Sequence, residues 1–191
     1  MSSSLDYNSL RLVTTSLVTY LGARGVLADT RYPNTNFMRT VFSAYIAMDV
    51  FMTKLTPSTA IHHALVFTSA AMCYRPVTGD DHVAISDMLP ESCVCEGMAA
   101  LACVDVATGR RYREVVAYMH LLNLAFVRFP MWSKCRSDYT ERIRNDRLKM
   151  GVTAMLTAML GLDAYWFMLI LKGLLLKENK TLVLARKALA N

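Results

Sequence analysis

Apolar residues in this chain are gathered into runs rather than spread as one thin stripe. Six can be traced, at approximately 9–28, 36–55, 58–75, 85–107, 113–132 and 149–176. At a rise of 1.5 Å per residue, a helix of roughly 20 such residues crosses a hydrocarbon core about 30 Å thick. The pattern predicts an all-α, multi-spanning membrane protein, a bundle or barrel of about six transmembrane helices. Ser, Thr and acidic residues dilute the first and fourth runs most.

Turn-forming stretches separate the runs: RYPNTN at 31–36, LTPST at 55–59, YRPVTGDD at 74–81, ATGRRYR at 107–113 and FPMWSKCRSDYTERIRNDR at 129–147. The last reads as the one long loop, or as a mixed-charge helix lying along the headgroups. Tyr74, Tyr112, Trp132 and Tyr139, near run ends, suit interfacial anchoring. Little length remains outside the runs, and no repeat or low-complexity segment is evident, so residues 1–191 read as one domain.

Composition agrees with this picture. Hydrophobic residues make up 54% of the chain and the mean hydropathy is +0.28, above the roughly 45–50% apolar share of soluble domains. The net charge of +6 resides in short loops and tails, which points to lipid headgroups rather than nucleic acid. Six spans divide the loop Lys and Arg evenly between the two sides, so charge does not choose an orientation. The N-terminal stretch is Ser-rich and poor in acids, but has no n-region, h-region and cleavage site in sequence, and reads as an uncleaved first span. Cys73, Cys93, Cys95, Cys103 and Cys135 show no CxxC spacing and read as small buried hydrophobes.

Ionisable groups at membrane depth are costly unless they face a bundle interior, which makes each a functional candidate. Here they are Asp49, His62, His63, Glu91, Glu96, Asp105, His120, Arg128, Asp163 and Lys172. Arg128 and Lys172 lie where they can snorkel from run ends, and Asp105 lies near the basic loop. Asp49, the His62–His63 pair and Glu91 occupy consecutive runs at depths a short bundle can bring together. Neighbouring helical residues point about 100° apart, so the pair chelates one metal ion poorly; no metal is expected. A single inward imidazole oriented by Asp49 or Glu91 can instead act as a general base. No GxSxG elbow or phosphate-cradling Gly-rich loop is present, and span interruptions of the kind that mark a transporter are few.

The segment AMDVFMTKLTPSTAIHHALVFTSA (47–70) resembles the part of TLC-domain membrane proteins in which an Asp-containing span precedes a His-His pair. LDAYWFMLILKGLLLK (162–177) is similar to that family's closing helix, and AFVRFPMW (125–132) to its Arg-containing span end. The likeness extends over most of residues 40–177. It implies about six helices around a polar-lined, lipid-facing cavity, and relatives that include the ceramide synthases, where the His pair joins acyl-CoA to a sphingoid amine. By position it makes His62, His63 and Asp49 the catalytic candidates of an acyl-CoA-dependent lipid acyltransferase. Glu91 resembles the Glu opening the next motif in non-synthase members.

The synthases' further His-Asp is absent here, where His82–Val83 and Asp87 stand instead, and Gly97–Met98 replaces the relatives' Asn-x-Arg. The resemblance therefore implies foremost a non-catalytic lipid binder, using His62, His63, Glu91, Trp166 and Arg128 and no cofactor, acting in membrane lipid organisation or as an accessory subunit of a larger complex. Its expected partners are membrane lipids and possible membrane-protein subunits. The expected location is the endoplasmic reticulum, with the mitochondrial inner membrane as the alternative.

Overall fold

The computed structural model describes residues 2–27, 35–52, 56–74 and 80–189; among them the chain is helical almost throughout and has no strand. The helices are α1 (Ser2–Leu27), α2 (Thr35–Met52), α3 (Pro57–Tyr74), α4 (Asp80–Asp87), α5 (Leu89–Cys95), α6 (Gly97–Ala107), α7 (Arg113–Asn123), α8 (Phe129–Lys134) and α9 (Asp146–Leu189).

Local chemistry sets several boundaries. Proline at the first position of α3 forfeits no helical hydrogen bond, and the Thr56 hydroxyl caps the helix by accepting the Thr59 amide at 3.3 Å. Asn145 does the same for α9, its Oδ1 accepting the Leu148 amide at 3.0 Å, and Asp146 places a carboxylate against the positive end of the helix dipole. The stretch 80–107 is broken twice. Pro90 has no N–H to offer the Ser86 carbonyl, and the helix is interrupted at Met88. At the second break the Ala99 amide bonds the Glu96 carbonyl at 2.9 Å instead of that of Cys95, leaving the Cys95 carbonyl for a side chain.

The stretch 113–139 is one long helix with two π turns, Leu124–Arg128 and Cys135–Tyr139. Residues four apart in a regular α-helix drift by about 40° around the axis. The wider turns absorb that drift, so Leu124, Arg128, Trp132 and Cys135 share one buried face. The segment 129–147 is thus helical into Glu141, and only the stretch around 142–145 is a loop. Asp81 fastens this loop by accepting the Arg144 and Asn145 amides at 2.6 and 3.2 Å. Most of the turn signals at 31–36 and 74–81, part of that at 55–59, and the side chains of Cys73 and His82 lie outside the described residues.

Packing follows a closed ring. α1 lies against α2, α2 against α3, α3 against α9, α9 against α7 and α8, these against α5 and α6, and α5 and α6 back against α1. The α1–α5 crossing is close because Gly22 permits it: a Cβ there would come within 2.6 Å of the Pro90 carbonyl oxygen and 2.7 Å of the Val94 amide nitrogen.

An apolar core including Val18, Phe42, Ile46, Leu124 and Leu156 is accompanied by buried ionisable groups and by large exposed apolar side chains. Asp49, His62, His63, Glu91, Glu96, Arg128 and Asp163 are buried, while Leu17, Phe51, Ile61, Phe67, Leu122, Phe126 and Met168 are exposed. Two stretches, Arg113–Tyr139 and Asp146–Lys177, are long and apolar enough to cross a membrane. Only 22% and 17% of their most apolar windows are buried within the protein, whereas a core helix would be mostly covered. Among the described residues no other helix meets that standard of length, hydropathy and charge.

Candidate functional site

The ring encloses a chain of polar contacts with His62 and His63 at its centre. Because successive residues of α3 diverge by about 100°, the two imidazoles reach different walls. His63 turns to α2, with its Nε2 3.1 Å from Asp49 Oδ2. Asp49 is also held by α1: Arg11 Nε lies 2.6 Å from Oδ1, Arg11 Nη2 donates to Oδ2 at 3.1 Å, and the Tyr7 hydroxyl donates to Oδ1 at 2.8 Å. Arg11 is 19% exposed and Asp49 only 1%, so this end of the chain meets the surface through the guanidinium.

His62 turns the other way, its Nε2 3.5 Å from Glu96 Oε1. Glu96 sits at the break between α5 and α6, and its Oε2 accepts the Tyr45 hydroxyl at 3.3 Å. The imidazole rings lie 5.4 Å apart, and Trp166 of α9 stacks at a tilt 5.4 Å from His62. Each imidazole thus contacts its own buried carboxylate, an arrangement that orients the ring.

Beneath Trp166, the Arg128 guanidinium lies 5.9 Å from the indole and grips Asp163 with two hydrogen bonds, Nε to Oδ2 at 2.9 Å and Nη2 to Oδ1 at 2.8 Å. Its Nη1 donates at 2.7 Å to the carbonyl of Cys95 that the helix break left open. Arg128 is 2% exposed and does not snorkel from the end of its run. The π turn that contains it directs the side chain inward, where Asp163 supplies the counter-charge.

Glu91 stands apart from the histidines. It is buried on α5, and its Oε1 accepts the Tyr139 hydroxyl at 2.7 Å and lies 3.4 Å from Lys134 Nζ. The sequence reading singled out Asp49, His62, His63, Glu91, Trp166 and Arg128. The structure assembles all of these except Glu91 into one neighbourhood and adds Glu96, Asp163, Arg11, Tyr45 and Tyr7. Glu96 and Asp163 already stood out as ionisable groups inside apolar runs; nothing in the sequence marks Tyr45 or Tyr7.

A narrow apolar slot opens beside this chain. Phe42, Leu65, Val66, Met88, Met155, Leu156 and Met159 form much of its wall, and its polar lining comes from Ser69, Ser92, Glu96 and Trp132, with no Lys or Arg. The Trp132 indole nitrogen is buried without a hydrogen-bond partner, an unmet donor beside an otherwise apolar wall. Glu96 belongs both to the slot and to the His62 contact, so a chain lying in the slot has its polar end beside the imidazole.

Among the described residues no three His, Cys, Asp or Glu side chains gather as a metal site. Cys93, Cys95, Cys103 and Cys135 are buried. Compared with known protein families, curated proteins and solved structures, the chain matches none.

Proposed function

We propose that the chain is a TLC-like integral membrane protein whose six helical segments surround a lipid-binding slot, acting in membrane lipid organisation or as an accessory subunit of a membrane complex. The observation that carries this reading is the slot itself: a largely apolar lining that includes Ser92 and Glu96, with Glu96 in turn lying against His62. Such a shape suits an aliphatic chain ending in a small polar group. The outward apolar faces of α7 and α9 support contact with lipid or with other membrane subunits. Trp166 and Arg128 back His62 from below and hold its ring in place.

The test is direct. Purified in mild detergent, the wild-type chain retains about one lipid per molecule by extraction and mass spectrometry, and Met155→Trp, which fills the slot from α9, abolishes that retention. A wild-type chain free of lipid, or equal retention in the variant, refutes the reading.

A second reading, an acyl-CoA-dependent lipid acyltransferase, is favoured by one feature: each imidazole contacts its own buried carboxylate. His62, oriented by Glu96 of the slot lining, would remove the proton of a nucleophile bound beside that carboxylate, with His63 and Asp49 behind it. Lipid turnover that disappears in His62→Ala while the helical fold persists would select this reading over the non-catalytic one.

A further inference from the structure

We propose that a second groove, on the outside of the ring between α6, α7 and α9, binds the phosphoethanolamine headgroup of a bilayer phospholipid; this rests on the membrane reading above. The groove is lined by Asp105, Arg113, Glu114, His120 and Lys177, with Leu169, Ile170 and Leu174 along its apolar wall. Arg113 begins one membrane-length stretch and Lys177 ends the other, which puts the charged end of the groove where the apolar surface gives way to headgroups. The space over Gly173 in its wall is open, since a Cβ at that position would meet no atom within 4 Å.

The hydrogen-bonding groups define the ligand. Lys177 and Glu114 form an ion pair across the rim and largely answer each other. Arg113 has no ion-pair partner among the described residues and offers a planar fork to a phosphate. Deeper in, Asp105 Oδ1 and His120 Nε2 are buried without hydrogen-bond partners. A carboxylate oxygen only accepts, so Asp105 calls for a donor. A ligand that serves both groups carries a phosphate and an N–H donor.

Phosphoethanolamine has this combination. The choline headgroup has the phosphate and the positive charge but no N–H. Glycerol headgroups have hydroxyl donors but bring an uncompensated negative charge to a groove whose two cations are already matched by two carboxylates. The acyl chains would continue along Leu169, Ile170 and Leu174.

The experiment places the full chain in nanodiscs of phosphatidylcholine mixed with equal amounts of phosphatidylethanolamine and phosphatidylglycerol, then counts the lipids retained on release by native mass spectrometry. The expected result is roughly tenfold preferential retention of phosphatidylethanolamine over phosphatidylcholine, the factor expected of a charge-assisted hydrogen bond. Asp105→Asn should remove the preference, Arg113→Gln should reduce retention of phosphatidylethanolamine, and Met155→Trp, which empties only the separate slot, should leave the preference unchanged. Arg113 is exposed, so its substitution leaves the fold intact. Equal retention of ethanolamine and choline lipids, a preference for phosphatidylglycerol, or a preference surviving both groove substitutions overturns the proposal alone. A chain that does not enter nanodiscs overturns the membrane reading together with it.

Discussion

Arg128 and Asp163 provide the sharpest test of how the ring is held together. The pair is bidentate, at 2.8 and 2.9 Å, and both side chains are essentially shut off from the surroundings, at 2% and 0% exposure. Arg128→Met keeps most of the apolar stem and removes three hydrogen bonds, leaving the Asp163 carboxylate and the Cys95 carbonyl buried and unanswered. Breaking a buried pair from one side costs about 3–5 kcal/mol, because the remaining charge keeps its desolvation penalty. For a chain of this length that corresponds to a fall in Tm of about 6–20 °C. Arg128→Met/Asp163→Leu removes the stranded carboxylate and should recover much of the loss, with coupling of about 1.5–3 kcal/mol in the double-mutant cycle. The assay is thermal unfolding of the four proteins in one detergent, followed by circular dichroism. A single substitution costing under about 1 kcal/mol, or a double variant as unstable as the sum of the singles, would show that the pair is not desolvated as described.

Two further predictions use contrasts within the same chain. Gly22→Ala must push α1 away from the backbone of α5 and should cost about 1–3 kcal/mol or more, whereas Gly161→Ala, with nothing within 4 Å of its new Cβ, should stabilise α9 by about 0.5–1 kcal/mol. Equal effects at the two glycines in thermal unfolding would contradict the close α1–α5 crossing. At Glu91, Tyr139→Phe should cost about 1.5–3 kcal/mol because it strips a 2.7 Å hydrogen bond from a buried carboxylate. Lys134→Met should cost at most about 1 kcal/mol, since the lysine is half exposed and 3.4 Å away. A larger loss at Lys134 than at Tyr139 would reverse the assignment of what holds Glu91.

Much of the secondary structure could be read from the chain because its causes are local. The apolar runs, Pro57 after Thr56, and Asn145 before Asp146 each act within a few residues, and α3 and α9 begin there. The π turns were not legible: their effect on phase shows only when Leu124, Arg128, Trp132 and Cys135 are seen on one face. That shift also explains why the segment from Phe129 reads as a loop in sequence yet continues as helix to Glu141. Its charged residues signal solvent, while Trp132 and Cys135 take the inward face.

By itself the sequence determined that the chain is helical, that its apolar content lies above the usual share of a soluble domain, and which ionisable groups stand inside apolar runs. Those are properties of composition and of spacing along one helix at a time. Only the tertiary structure decided the partners: His63 with Asp49, His62 with Glu96 rather than Glu91, and Arg128 with Asp163. Partnership depends on which helices are neighbours in the ring and on how each is rotated about its axis. Neither is set by local spacing, and a rotation of about 100° between adjacent residues sends two identical imidazoles to different carboxylates.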